Sequence, residues 1–349
     1  MRLEARPAPS LWLTAAAPVI AVLLSLVLCA ALVLWADASP WTAYGALFKG
    51  AFGSTFAISE TCVRATPLIL TGLAAAVAFR AKLWNIGAEG QLYAGALAAT
   101  YVGTGMVTLP PILMVPFLFI AAALAGGVLL LVPTLLKTHL KVDEVVTTLL
   151  LNFVVILLAN YLLFGPWKDP MAMGWPQGAP IIDEGLLPNI LAKTRLHAGL
   201  LFALLAAVAA WALMRFTVCG FEIRAVGLNY DAARFAGIPT TATILRTALI
   251  SGGLAACAGV TEVAGTKGYP TLDISPGFGY TGIAVAMLAG LNPLGVILAA
   301  FFIAGIYNGA DSMSRSIEIS NYFADVLTAT ALLLVLVSVA LTRYRIRLA

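Results

Sequence analysis

The chain has 349 residues, 61% of them hydrophobic and 10% charged, with a net charge of +4. Soluble domains carry about 25% charged residues, so this composition cannot clothe a water-facing surface. It excludes a soluble catalytic domain of any size, and the small net charge gives no case for nucleic acid.

Two stretches without a charge run for 47 residues from Gly90 to Leu136 and for 37 from Ile274 to Ala310. Each is too long for one buried core helix and long enough to cross a bilayer about twice. The chain therefore reads as an all-α polytopic membrane protein, a single transmembrane domain over residues 1–349. About ten spans are expected, within a range of eight to ten, on a span length of about 20 residues.

The first apolar run, Leu11 to Trp35, follows Arg2 and Arg6 and is expected to be a retained helix, being longer than a signal-peptide core. A second span is predicted over about Thr61 to Phe79 and a third over about Ala88 to Met106. Leu109-Pro110-Pro111 interrupts the long run, because proline cannot supply a helical N–H. A fourth span follows over about Ile112 to Leu131. Asp143 is placed to N-cap a fifth over about Glu144 to Phe164. The loop from Gly165 to Leu196, with five prolines and with Trp167 and Trp175, is either a connector or a docking rim. A sixth span lies between Arg195 and Arg215.

The segment Cys219 to Thr241 is polar, and Asn229 can cap a short helix from Tyr230 to Ala236. Gly237 suits a left-handed C-terminal cap and Pro239 stops continuation. Asp231, Ala233, Arg234 and Phe235 lie on this two-turn knob, where Ala233 and Gly237 are expected to admit another surface closely. A seventh span covers about Ile244 to Val263. The eighth and ninth share the second long run and are split at Asn292-Pro293. The eighth, about Tyr280 to Leu291, is short for a complete crossing and is either a span or a re-entrant segment. The tenth runs over about Val326 to Leu341.

Basic residues set the orientation. With ten spans and a cytoplasmic N-terminus, Arg2, Arg6, Arg80, Lys82, Lys137, Lys141, Arg215, Arg224, Arg234, Arg246 and the tail Arg343 to Arg347 all fall inside. Both termini and residues 219–241 are then cytoplasmic, and residues 165–196 face the periplasm. Spans 2–5 and 7–10 run in opposite senses and suggest an inverted repeat. Polar groups inside spans must face protein or water, which makes Asn85, Glu89, Gln91, Asn152, Asn160 and Asn308 candidates for a translocation pathway. Glu89 also reads as a carboxylate stabilised at a helix N-terminus, and Asn152 as interhelical glue. Arg64 is expected to reach the interface or pair with Glu60, four residues before it.

Enzyme chemistry finds no support. His139 and His197 fall on opposite predicted sides, no metal cluster or Ser-His-acid spacing is recognisable, and Cys29, Cys62, Cys219 and Cys257 read as packing residues without a CxxC pair. Gly265-Thr266-Lys267-Gly268 is no P-loop, and the GxGxxG string Gly277 to Gly282 lacks a βαβ context. An ion-coupled secondary transporter would need coupling carboxylates in mid-span, with Glu89 and Asp311 the evident candidates.

Several motifs carry a resemblance. Ala65-Thr66-Pro67-Leu68-Ile69-Leu70-Thr71-Gly72 is followed by Leu83-Trp84-Asn85-Ile86-Gly87-Ala88-Glu89-Gly90-Gln91. Asp143-Glu144-Val145-Val146-Thr147-Thr148-Leu149-Leu150-Leu151-Asn152 is a second, and Gly279-Tyr280-Thr281-Gly282-Ile283-Ala284-Val285-Ala286-Met287-Leu288, continuing into Asn292-Pro293-Leu294-Gly295, a third. Together they resemble the ribose and branched-chain amino acid type of ABC importer permease, in its nucleoside and simple-sugar branch. The knob at Asn229 to Gly237 looks like the cytoplasmic coupling helix of such permeases. The resemblance implies a transport subunit of the bacterial inner membrane that is not itself an enzyme. It implies a second homologous permease, a separate ATPase (often two fused modules) that holds ATP and Mg, and a periplasmic or lipoprotein substrate-binding protein. No cofactor is expected on this chain. Nucleosides, purine nucleosides first, are the expected cargo, with simple sugars next.

Overall fold

The computed structural model describes residues 2–5, 11–35, 37–318 and 321–347. The α-helices in chain order are α1 (Leu11–Trp35), α2 (Pro40–Phe52), α3 (Thr55–Arg80), α4 (Ala88–Gly103), α5 (Pro111–Leu140), α6 (Glu144–Phe164) and α7 (Gly199–Phe216). They continue with α8 (Val218–Leu228), α9 (Tyr230–Phe235), α10 (Thr240–Val260), α11 (Phe278–Leu288), α12 (Pro293–Ser316) and α13 (Asn321–Arg343). A π-helical stretch, Thr261–Lys267, extends α10. Among the described residues a pair of short strands, β1 (Arg2–Ala5) and β2 (Tyr344–Arg347), is joined antiparallel with Arg2 opposite Arg347.

Six helices among the described residues are long and apolar enough to cross a membrane: α3, α5, α6, α7, α10 with its π-helical extension, and α12. At about 1.5 Å per residue, α4 and α11 reach only about 24 and 17 Å, short of a hydrocarbon core of about 30 Å. The chain forms two compact units, Met1–Arg64 with Phe301–Ala349, and Ala65–Ala300.

The larger unit bares large apolar side chains and buries a cluster of polar ones. Leu124 and Val128 on α5, Val154 and Leu157 on α6, and Leu205 on α7 are exposed, whereas Asn85, Glu89, Gln91, Asn152 and Ser251 are buried. Water would penalise that arrangement, and lipid favours it. Its centre is the crossing of α10 with α4 and α5. A methyl group at Gly95 would overlap the Ala256 carbonyl, and one at Gly259 would overlap the Leu92 carbonyl, so these backbones touch. Small residues permit such approach where no hydrophobic effect drives helices together.

Expected and observed spans agree best where a cap is written into the sequence. The fifth span is α6, residue for residue, and the Asp143 carboxylate accepts from the Val145 N–H at 2.8 Å. The fourth runs nine residues past the expected Leu131, to Leu140, straight through Pro133. Thr134 and Thr138 hydroxyls bond the Leu130 and Thr134 carbonyls in that stretch, and proline is tolerated in lipid-embedded helices. Helices α2 and α8 were not expected. Pro40 at the first turn of α2 and the Thr217 hydroxyl accepting from the Gly220 N–H are their start signals.

The smaller unit holds Arg64, which pairs with Asp311 at 2.6 Å across to α12. Sequence spacing offered Glu60; Asp311, from the other end of the chain, is a partner that spacing could not show.

Candidate functional site

Helices α4 and α11 begin in the same way. Asn85 accepts from the Gly87 N–H at 2.9 Å, and Ser275 accepts from the Gly277 N–H at 3.1 Å. In each case the helix starts at the next residue, Ala88 or Phe278. A short polar side chain bonding the backbone two residues on is the local turn that halts an extended segment and launches a helix. Gly277 adopts a left-handed φ of +94° to do so.

The two N-termini meet. The Glu89 carboxylate of α4 accepts from the Gly279 N–H of α11 at 2.7 Å, and the backbones are so close that a methyl group on Gly279 would overlap the Glu89 main chain. Ser275 and the Gly277 N–H face the same carboxylate. Each helix start carries about half a positive charge, so one carboxylate lies against two positive ends.

A polar stripe on α6 reads the backbone of the segment before α4. Glu144, Thr148 and Asn152 are spaced by four and share one helix face. Glu144 accepts from the Trp84 N–H at 3.3 Å, and Thr148 from the Ile86 N–H at 3.3 Å. Asn152 accepts from the Gly90 N–H at 2.8 Å and donates to the Ile86 carbonyl at 3.0 Å and the Tyr280 hydroxyl at 3.1 Å. Lys137 pairs with Glu144 and donates to the Lys82 carbonyl. This network gives the second motif its physical content: the non-helical backbone at residues 84–86 and the orphan N–H of Gly90 in the first turn of α4 have no helical partners, and α6 supplies them.

Asn85, Glu89, Gln91 and Asn152 are thus brought to one junction. Asn85 also donates to Gln91 at 2.9 Å and to the Ser251 hydroxyl at 3.0 Å, and Ser251 donates to the Ala74 carbonyl. Among the described residues no buried side-chain polar atom lacks a partner. These side chains therefore set the shape of the junction first. Asn308 belongs to the smaller unit, where its amide donates to the Gly50 and Ala57 carbonyls and to Thr61. Asn160 is half-buried on α6, two turns beyond Asn152.

Sequence reasoning missed Ser251; it marks Ser275 to Gly282 as a glycine-bearing polar interruption beside an apolar helix but gives neither Ser275 nor Tyr280 a role of its own. Tyr280 is the informative one, with its hydroxyl fixed by Asn152 and its side chain 39% exposed beside the helix starts. Ser275-Pro276-Gly277 carried a readable turn signal; Tyr280 carried none.

The α8–α9 segment stands at the end of the unit that gathers Arg80, Lys82, Lys137 and Arg224. Asn229 caps α9 by accepting from the Ala232 N–H at 3.0 Å, and Gly237 takes a φ of +84°. Ala233 does not offer the outward surface expected of it. It is 5% exposed and packs inward, while Phe235 is 95% exposed. Asn229, Asp231, Arg234 and Gly237 are also exposed. Three apolar side chains nearby, Val218, Phe221 and Leu228, extend the bare patch.

At the other end, residues 165–196 fold over α4 and the π-helical stretch. Ile182 N–H donates to the Gly103 carbonyl, Leu187 N–H to Ala264, and Gly178 N–H to Pro270. Trp167 stacks on Tyr101 with centroids 5.9 Å apart. His197 is buried here, accepting at Nδ1 from the Gly199 N–H at 3.2 Å, and burial pushes its pKa down to about 4. The unfolded imidazole titrates near about 6.5, so between these values the unfolded state binds more protons. Stability present above pH 6.5 is therefore lost as pH falls toward 4. The melting temperature of the purified protein should drop over that window, and H197Q should flatten the drop; an unchanged pH profile in H197Q would refute this assignment.

The comparisons agree with the fold. A family model described as branched-chain amino acid transport system / permease component matches residues 57–337. The chain is 36% identical to the glucose ABC transporter permease protein TsgB13 of Haloferax volcanii, over 100% of this chain and 94% of that one. It is 37% identical to the guanosine ABC transporter permease protein NupP of Bacillus subtilis, over 93% of both chains. Identity to the nucleoside ABC transporter permease protein NupB of Lactococcus lactis is 30%, over 85% of this chain and 84% of that one. With six apolar crossing helices and these relatives, the chain belongs to the branched-chain amino acid transport system permease family, as a multi-pass membrane transport component of an ABC transporter and not an enzyme.

Proposed function

We propose that this permease imports nucleosides, purine nucleosides before others, driven by ATP and Mg held on a separate ATPase subunit. The observation that carries the reading is Glu89, seated against the N-termini of both α4 and α11. Paired helix starts left empty would attract a carboxylate cargo such as an amino acid. Here the protein's own carboxylate occupies that place, which favours an uncharged solute. Tyr280 adds a flat ring held at one angle by Asn152, suited to stacking on a base. Names borne by two relatives, guanosine for NupP and nucleoside for NupB, point the same way. The name of TsgB13 favours a second reading, a simple-sugar permease, which needs no aromatic surface.

Substitution at Tyr280 separates the two. Y280F should hold guanosine uptake within about twofold, and Y280A should lower it about tenfold, the loss of roughly 1–2 kcal/mol of base stacking. A cargo without a ring would be indifferent to both, so equal guanosine uptake in Y280A and wild type would remove the nucleoside reading.

In this reading the end with Arg80, Lys82, Lys137, Arg224 and α8–α9 is cytoplasmic, residues 165–196 face outward, and ten helices (α1, α3–α7 and α10–α13) lie in the membrane, the short α4 and α11 reaching only part of the way across. The β1–β2 pairing supports termini on one side. The matched starts of α4 and α11 support an inverted repeat of α3–α6 and α10–α13, with Asn85-x-Gly87 answering Ser275-x-Gly277. The exposed patch around Phe235 suits an ATPase groove, residues 165–196 suit a substrate-binding protein, and a second permease completes the pathway. G237V should insert normally, since open space surrounds Gly237, yet strain the left-handed cap and weaken ATPase co-purification several-fold. Full recovery of the ATPase with G237V would count against the docking role.

A further inference from the structure

We propose that Arg80 is a positioning residue for transport, carrying movement of the α8–α9 segment to α11. The inference rests on the reading of α8–α9 as the ATPase-facing segment.

Helix α11 is short, and its two ends are held by residues nine apart in sequence. At its start, the Gly279 N–H donates to Glu89. Beyond its end, Gly290 and Leu291 both take a φ of +60° and the Leu291 N–H closes onto the Ala286 carbonyl. This is the backbone pattern that finishes a helix with a reversed turn. It turns the Leu291 carbonyl toward α3, where Arg80 grips it twice, through Nε at 3.2 Å and a terminal nitrogen at 3.0 Å. An anion at the helix start and a cation at its end both match the helix dipole. One stretch of chain, residues 80–89, therefore staples α11 at both ends. Along its length α11 lies on α3: the Thr71 hydroxyl donates to the Phe278 carbonyl at 3.0 Å, and Thr71 packs on Gly282.

The second observation is where α8 rests. Gly227 sits on the last residue of α3, and a methyl group there would overlap the Arg80 carbonyl oxygen and crowd the Ala81 backbone. The residue that holds the end of α11 is thus the residue on which α8 bears. Arg224, the neighbouring cation on α8, bonds the Met214 carbonyl and so leaves the Leu291 carbonyl to Arg80. A push on α8–α9 reaches Arg80 through backbone contact, which cannot yield by rotamer change. Arg80 passes it to α11, whose start forms the junction with Glu89 and Tyr280. Helix α8 also bears on backbone of α7, where Gly220 lies against the Leu213 carbonyl, but its link to α10 runs through side chains, Arg246 with Glu222 at 3.5 Å.

The test uses the whole transporter in proteoliposomes: permeases, ATPase and binding protein, with radiolabelled guanosine as probe. ATP hydrolysis and uptake are measured together for R80Q, R80K and F235E. R80Q should keep the ATPase bound and hydrolysing within about twofold, while uptake per ATP falls at least tenfold; R80K, with one donor group left, should recover part of it. Hydrogen exchange in α11 should change on vanadate trapping in wild type and stay flat in R80Q. Wild-type uptake per ATP in R80Q overturns the proposal, as does an α11 exchange response that survives the substitution. If R80Q fails to assemble, R80K decides alone: uptake per ATP equal to wild type overturns the proposal, and a loss supports it. F235E tests the underlying reading separately. Retention of the ATPase by F235E would sink the docking surface, whereas loss of the ATPase in F235E beside a fully coupled R80Q would sink only the Arg80 route.

Discussion

Glu89→Ala is expected to abolish uptake and to destabilise the larger unit by about 3 kcal/mol, the scale for removing a buried charged hydrogen-bond partner. The variant leaves the Gly279 N–H without its acceptor and sets two positive helix starts against each other. Glu89→Gln keeps an acceptor oxygen but loses the capacity for charge. It is expected to fold with a loss of about 1 kcal/mol, half or less of the alanine effect, because a neutral hydrogen bond is worth about half a charged one. It should also bind carboxylate solutes no better than wild type at the level of the whole transporter, since the side chain still fills the space. Thermal melting in detergent, followed by uptake in proteoliposomes, checks both. An alanine variant as stable and active as wild type would show that Glu89 is neither a cap nor a seat.

Gly259→Val should have the second large effect, and a different one. Gly259 is buried where α10 crosses α4, and any side chain there meets the Leu92 carbonyl and the Ala96 backbone. Backbone cannot swing away, so the helices must part. Overpacking of this kind costs about 3 kcal/mol or more. The expected outcome is a sharp fall in the yield of monodisperse protein and a melting temperature lower by several degrees, with the junction disordered as a consequence. A Gly259→Val protein that elutes and melts like wild type would mean that α10 and α4 do not touch at this residue.

Much of this architecture is legible in the amino-acid sequence, for reasons that differ by element. Helix α6 was readable to the residue because Asp143 writes its start and Gly165 its end. Helix α9 was readable because Asn229 and Gly237 are local signals acting within a turn of chain. Helix α8 escaped because its charged residues, Glu222 and Arg224, looked like loop polarity rather than one face of a packed helix. The extension of α5 through Pro133 escaped because a rule learned in water overstates proline as a stop in lipid. At the site, polarity inside an apolar run pointed to Asn85, Glu89, Gln91 and Asn152. The same rule also selected Asn308, which lies apart from these in the smaller unit and bonds Gly50, Ala57 and Thr61. What polarity could not supply was partnership. Glu89 and Gly279 are 190 residues apart, and Asn152 and Tyr280 are 128 apart. Nothing local in the chain announces either bond. Ala233 illustrates the opposite limit: smallness suggested an open surface, and the fold used it to bury α9 against its neighbours, leaving Phe235 to face outward.

Glu89 and Tyr280 together make the central claim, that the junction of α4 and α11 passes an uncharged nucleoside under power from another subunit. Uptake of radiolabelled guanosine by proteoliposomes holding the complete transporter, in the presence of competing adenosine, glucose or leucine, tests it most directly. Uptake should require ATP hydrolysis, fall sharply with adenosine, and ignore leucine. Uptake that persists without the ATPase, or that leucine blocks and adenosine does not, would contradict the account.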